Sequence, residues 1–134
     1  MGLLSGKRPN DLGVKNGRLK PPPSSPNAVS SQAQDAGHTI APLSYSSSPE
    51  RAMEALVKII EATPRTRIIS RTNDYVYAEY ESALMGFVDD VEFWFEPNAK
   101  IIQVRSASRL GHSDFGVNRA RIEEIRRKFG ASGA

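Results

Sequence analysis

Residues 90–106 read DVEFWFEPNAKIIQVRS, and this stretch predicts a β-hairpin. Apolar residues alternate with polar or amphipathic ones on both sides of a Glu-Pro-Asn-Ala turn, as in two half-buried strands. The residues predicted to share the inner face are Val91, Phe93, Phe95, Ile102 and Val104. The hairpin therefore predicts an antiparallel sheet with one apolar face.

The pairing of these two strands also fixes the surroundings of Arg105. If the apolar residues face one another, Arg105 lies opposite either Asp90 or Glu92, on the face away from the aromatic core. A cross-strand ion pair of this kind contributes only about 0.2–1 kcal/mol. Arg105 can therefore have a purely structural role.

The helices and strands on either side of the hairpin are predicted in part from helix-capping residues and from prolines that end helices. Ser48 is a good N-cap, Pro49 suits the first helical position, and a helix beginning there ends before Pro64. The further predicted elements are strands at 65–71 and 75–82 and a closing helix at 118–129. The order α-β-β-β-β-α predicts an α+β two-layer sandwich, with a mainly antiparallel sheet of about four strands and two helices.

Residues 1–48 have a different composition from the rest of the chain. They hold six of the nine prolines and show no helical or strand period. Composition alone favours a disordered arm, although an extended strap lying on the domain has the same signature. The predicted division is an extended Pro/Gly/Ser-rich arm at 1–48, a core at 49–130 and a frayed tail at 131–134.

Composition excludes several classes of protein. The chain has no cysteine, which excludes disulfides, thiolate-ligated zinc and a cysteine nucleophile. No apolar run approaches the roughly 20 residues of a membrane-spanning helix. The net charge of +3 is divided among residues 1–49 (+3), 50–100 (−4) and 101–134 (+4), so the acidic middle argues against nucleic acid as a partner. No signal peptide is recognisable at the N-terminus, which predicts a cytoplasmic protein.

The densest polar chemistry lies at residues 105–121, which read RSASRLGHSDFGVNRAR. This connection between the last strand and the last helix is long, and it ends at a helix N-terminus, which favours anions. Its arginines can donate to a carboxylate or phosphate. The candidate ligand-binding residues are Arg105, Ser106, Ser108, Arg109, Asp114, Asn118 and Arg121, with Asp89, Asp90 and Glu92 as supporting acids.

Three functions fit this stretch. The first is a non-catalytic binding or accessory module that holds a small anionic ligand or a partner's carboxylate. The second is a hydrolase-type enzyme using Asp114 with Ser106 or Ser108. The third is a purely structural charge network, with a protein-partner role elsewhere. Adjacent residues such as His112-Ser113-Asp114 seldom reach triad geometry, and His38 and His112 show no metal-ligand spacing, so no catalytic residue, metal or cofactor is predicted.

Several motifs carry a resemblance to a known family. They are RPxxLGV at 8–14, SPNxVSSQ at 25–32, GFVDDVEF at 86–93 and RSASRxGxSDxGxNRxRI at 105–122. Over residues 8–129 the sequence resembles the uncharacterised domain-of-unknown-function family 1499, which occurs in bacteria and plastids. The resemblance implies no activity. It implies that the arm docks on the domain as an extended strap and that 105–121 is a family signature.

Overall fold

The computed structural model describes residues 6–111 and 113–134, in which two helices pack against one antiparallel sheet. The elements are β1 (Ala28–Ser30), β2 (Leu43–Ser44), α1 (Pro49–Glu61), β3 (Thr66–Arg71), β4 (Tyr75–Glu81), β5 (Val88–Phe95), β6 (Ile101–Ser108) and α2 (Val117–Ala131). The strands lie in the order β1-β6-β5-β4-β3, and β2 also pairs with β6. The predicted α+β class is confirmed.

The predicted hairpin is formed by β5 and β6. Glu92 pairs with Arg105 and Phe93 pairs with Val104, so the second of the two expected registers is the one observed. The alternation of side chains along β5 sends Phe93 into the core and Glu92 to the opposite face. The register therefore separates an apolar face of the sheet from a charged one.

The predicted sheet of about four strands is wrong, because the sheet has six. The two additional strands come from the arm, and β1 and β2 have three and two residues. Strands this short cannot display an alternating pattern, and they pair because β6 offers them a free edge. The element order is therefore β-β-α-β-β-β-β-α.

The two faces of the sheet are covered by different parts of the chain. Helices α1 and α2 cover the apolar face, where Leu56, Phe93 and Ile122 are fully buried in one core. Residues 6–27 cross the opposite face, where Leu19 is buried. No helix in the described residues is long and apolar enough to cross a membrane. The arm thus encloses a layer of charged side chains against the sheet.

One contact within the arm depends on His38. Its Nδ1 lies 2.6 Å from a carboxylate oxygen of Asp35, and its Nε2 lies 2.9 Å from the carbonyl of Ser25. Both partners are acceptors, so both ring nitrogens can donate only when the ring is protonated. The carbonyl of Ser25 and then Asp35 raise the pKa of His38, while burial and the charge of Arg119 oppose them.

This contact gives the fold a pH dependence of known sign. Because folding raises the pKa of His38, its contribution is fully present below the unfolded pKa and is lost as the pH rises through the folded pKa. We expect the urea midpoint of the protein to fall as the pH rises above about 6.5, the pKa of an unperturbed histidine. His38→Gln, measured by circular dichroism over the same range, should flatten that fall. An unchanged slope in the variant would contradict the assignment of a charged ring.

Candidate functional site

The predicted site residues lie on two faces of the sheet rather than in one loop. Residues 105–108 belong to β6 and residues 117–121 belong to α2, so the expected connection over 105–121 is only 109–116. Successive side chains of a strand point to opposite faces. Arg105 and Arg109 therefore join the arm side, whereas Ser106 and Ser108 join the helix side.

The arm-side cluster is centred on Arg109. Its guanidinium donates to both carboxylate oxygens of Asp90, at 2.9 and 2.8 Å, and its Nη2 also donates to Glu79. These three side chains are each at most 4% exposed. Arg8 from the arm and Arg67 from β3 donate to Glu79 as well, at 2.6 and 3.2 Å. Three arginines from distant parts of the chain therefore converge on one buried carboxylate.

These contacts keep the cluster ionised. Burial works against the charge of Glu79, but hydrogen bonds from Arg8, Arg109 and Arg67 outweigh it and lower the pKa of Glu79 to about 2. The hydrogen bond to Asp90 is the largest of the interactions that raise the pKa of Arg109. Glu79 and Arg109 are therefore held in their charged forms at physiological pH.

Glu92 is the least satisfied acid of this face. Its Oε2 accepts from the Gly13 amide of the arm at 2.8 Å and from the Tyr75 hydroxyl at 2.6 Å. Its Oε1 is buried with no hydrogen-bond partner in the described residues and lies 3.9 Å from Nη1 of Arg105. Burial raises the pKa of Glu92. Buried acceptors without a donor are uncommon in proteins, so this oxygen of Glu92 is an unsatisfied hydrogen-bond acceptor on this face.

Arg105 is held by the arm and lies beside an acid. It donates to the carbonyls of Lys20, at 2.9 Å, and Pro21, at 3.3 Å, and its side chain is 4% exposed. Within the described residues, no hydrogen bond is made by its Nη1, which lies 3.9 Å from Oε1 of Glu92. Burial lowers the pKa of Arg105, although nearby Glu92 and Asp90 oppose the shift. The Nη1 edge of this guanidinium is thus paired with Glu92 by charge alone and lacks a direct hydrogen bond.

A cleft of about 420 Å³ lies between the arm and β6 beside these groups. Its charged and hydroxyl-bearing walls include Lys7, Lys20, Asp90, Arg105, Ser108 and Arg109. Cations outnumber carboxylates among them. Sequence reasoning missed Lys7 and Lys20, because nothing in an aperiodic arm indicates which strand it crosses. We call this space the arm-side cleft.

A larger cleft, of about 630 Å³, lies at the other end of the sheet beside Tyr45 and Phe95. None of the predicted site residues lines it. Lys100 lies against it, but the ammonium of Lys100 is engaged by the carbonyls of Ser46 and Ser47. The sequence-predicted chemistry is therefore associated with the smaller cleft.

The helix-side cluster is centred on Asn118, which is fully buried. Its amide nitrogen donates to the Asn27 carbonyl, the Ser108 hydroxyl and Asp114, at 3.2, 3.0 and 2.8 Å. Its oxygen accepts from Ser106 at 2.6 Å. The side chain thereby ties the start of α2 to β6 and to the arm.

Arg121 completes the helix-side cluster. Its Nη2 lies 2.8 Å from Asp89, and its Nη1 donates to the Ser106 hydroxyl at 3.2 Å. The guanidinium also lies over the Tyr80 ring, 4.9 Å from the centroid. Burial raises the pKa of Tyr80 to about 12, against the opposing charge of Arg121. These contacts join α2 to β4, β5 and β6.

Asp114 is engaged at the start of α2. Its carboxylate accepts from the amides of Gly116 and Asn118, at 2.9 and 3.1 Å. Burial opposes its ionisation, but these bonds and the Asn118 side chain lower the pKa of Asp114. His112 lies outside the described residues, so the predicted lack of triad geometry at His112-Ser113-Asp114 stays a prediction. In the described residues no group of three or more His, Asp or Glu side chains is placed to hold a metal ion.

The fold and these two clusters define a class: a two-layer α+β domain whose second sheet face is a charged layer closed by an N-terminal arm. A family model described as "Protein of unknown function (DUF1499)" matches residues 18–129, and the chain belongs to this family. The resemblance seen in the motifs is thereby confirmed. A search of curated proteins found no match.

Removing Arg109 tests the arm-side cluster. Arg109→Ala leaves Glu79 and Asp90 buried beside each other with their shared cation gone. Breaking a buried ion pair in this way costs about 3–5 kcal/mol. We expect a loss of that size in the free energy of unfolding, measured with urea.

Arg127→Ala is the matched control, because Arg127 pairs with Glu124 on the exposed face of α2. That variant should unfold at the wild-type urea concentration, since exposed ion pairs contribute little. If Arg109→Ala and Arg127→Ala lowered the free energy of unfolding by the same amount, the assignment of Arg109 to a buried ionic cluster would be wrong.

Proposed function

We propose that the protein is a non-catalytic binding module that holds a small anionic group, a phosphate or a carboxylate, in the arm-side cleft. The observation that carries this proposal is the incomplete hydrogen bonding of the Arg105 guanidinium. Its Nη1 makes no hydrogen bond within the described residues and lies 3.9 Å from Oε1 of Glu92, although the side chain is 4% exposed. A buried guanidinium is a strong partner for planar anions, because its paired N–H groups match their oxygens.

The charges around the cleft support an anion rather than a cation. Lys7 and Lys20 line the cleft with Arg105, Lys20 also pairs with Asp11 at 2.9 Å, and Asp90 is already bound by Arg109. Burial raises the pKa of Glu92, and its Oε2 is occupied by the Tyr75 hydroxyl and the Gly13 amide. A low-dielectric wall strengthens the remaining attraction.

The proposal gives different roles to the seven predicted residues. Arg105, Ser108 and Arg109 line the cleft, and Arg105 is the proposed direct donor. The other four, Ser106, Asp114, Asn118 and Arg121, act in this proposal as supports that position β6 and α2. Cytoplasmic location is part of the proposal and remains a prediction.

The second candidate is the structural network expected from the sequence. The observation that favours it is the saturation of Arg109, which donates to Asp90, Glu79 and the Tyr77 hydroxyl. In that case the cleft stays occupied by solvent, and partner contacts lie elsewhere. Asp114 is committed to the start of α2, so the hydrolase alternative has no observation in its favour.

Thermal unfolding against anions distinguishes the two candidates. The probes are inorganic phosphate, pyrophosphate and citrate, with sodium chloride at matched ionic strength as the reference. An anion at 100 times its dissociation constant adds about 2.7 kcal/mol, which raises the Tm of a domain of this size by several degrees. Arg105→Lys should abolish the shift, because lysine lacks the planar fork.

A pair of double variants keeps the test decisive if Arg105→Lys fails to fold. Lys7→Ser/Lys20→Ser removes the arm's two cations at the cleft, together with the exposed Lys20–Asp11 ion pair, and should weaken the shift. Lys58→Ser/Lys128→Ser removes the same charge from the helices and should leave the shift unchanged. If no anion exceeds the chloride reference, or if both double variants behave alike, the binding proposal is wrong.

A further inference from the structure

The large hydrophobic side chains that are exposed in the described residues lie in two loops and at the first position of α2. They are Leu84, Met85, Phe87, Leu110, Phe115 and Val117. Leu84 and Phe115 are 95% and 94% exposed, so these two stand clear of the protein surface. Single exposed hydrophobics are ordinary, but their concentration at one place marks an interaction surface.

The two loops lie side by side. Residues 82–87 connect β4 to β5, and residues 109–117 lead from β6 into α2. The Arg109 amide donates to the Val88 carbonyl at 3.1 Å, so both loops leave the sheet at the same end of neighbouring strands. We call residues 82–87 and 109–117 together the apolar rim.

The charged groups of the apolar rim are bound to other groups of the protein. Arg109 is buried against Asp90 and Glu79, and the Asp114 carboxylate accepts amides at the start of α2. Asp114 carries the one carboxylate in the described part of the rim, and docking leaves these amide partners in place. Burying the rim would remove mainly apolar surface from water.

The surroundings of the rim add cations. Lys7 follows Gly6, whose backbone packs against Leu110. Arg65 is exposed, and its carbonyl accepts from the Glu81 amide where β4 ends. Two exposed cations thus flank the rim, against the half-buried carboxylates of Glu81 and Asp114, the second of which is bound to amides at the N-terminus of α2.

We propose that the apolar rim docks on the surface of an anionic lipid bilayer. Side chains that are almost fully exposed on loop tips form no groove that a protein partner could match. A fluid bilayer needs no such match, because it admits protruding Leu and Phe side chains wherever they enter. Lys7 and Arg65 then lie at headgroup level, where each cation adds attraction to anionic lipid. The rim adjoins the arm-side cleft at Lys7 and Arg109, but Leu84 and Phe115 lie outside the cleft, so this inference does not rest on the proposed function.

Vesicle co-sedimentation of the full chain tests the proposal. The vesicles are phosphatidylcholine alone and phosphatidylcholine mixed with phosphatidylglycerol. We expect binding to the mixed vesicles, weaker binding to the neutral ones, and weakening by added salt. Leu84→Ser/Phe115→Ser should reduce partitioning by about tenfold or more, the equivalent of losing one or two buried apolar side chains.

The matched control is Ala41→Ser/Ala99→Ser, in which both alanines are exposed and Ala99 lies in the β5–β6 turn at the other end of the sheet. It should bind vesicles like the wild type. Arg65→Ser should weaken binding to the mixed vesicles only. All rim substitutions are at exposed positions, and an unchanged urea midpoint confirms that each variant is folded.

Two results would overturn the proposal. The first is wild-type protein that stays in the supernatant with both kinds of vesicle, or a rim variant that sediments like the wild type. The second is a dimer in analytical ultracentrifugation that Leu84→Ser/Phe115→Ser dissociates, because a second copy would then cover the rim. Arg105→Lys distinguishes the two surfaces, since it should lose anion stabilisation in the cleft and keep vesicle binding.

Discussion

The neutralisation of buried carboxylates on one face of the sheet is the constraint on which the rest of the structure depends. Glu79, Asp90 and Glu92 point away from the helices and are each at most 2% exposed. Removing a carboxylate from water costs several kcal/mol unless donors replace the water. Arg109, Arg67 and the hydroxyls of Tyr75 and Tyr77 supply part of that replacement, and the arm adds Arg8 and the Gly13 amide. We therefore expect the arm and the sheet to fold as one unit.

This constraint also explains why polar residues are so dense at 105–121. The stretch serves both faces of the sheet at once, since odd-numbered residues of β6 meet the charged layer and even-numbered ones meet α2. Arg105 and Arg109 bind groups of the arm side, whereas Ser106 and Ser108 bind Asn118. A single recognisable motif thus encodes two separate clusters. A ligand in the arm-side cleft would contact only the first of them.

The parts of the structure that sequence predicted are those with local signals. The alternation over 90–106 gave the hairpin and left two registers for Arg105, and Ser48 with Pro49 gave the start of α1. The missed parts depend on contacts between distant residues. Arg109 and Glu79 are 30 positions apart, and the short strands of the arm have no period of their own. The set of cleft residues predicted from the sequence was incomplete, because the path of Lys7 and Lys20 over the sheet is set by those distant contacts.

Native-state hydrogen exchange of the arm amides tests the central claim most directly. The Gly13 amide donates to Glu92 and the Leu19 amide donates to the Gln32 side chain, so both report on docking of the arm. If the arm and the sheet form one cooperative unit, these amides open with the same free energy as the central amides of β5. Exchange of Gly13 and Leu19 near the rate of an unstructured peptide, with β5 still protected, would contradict the account.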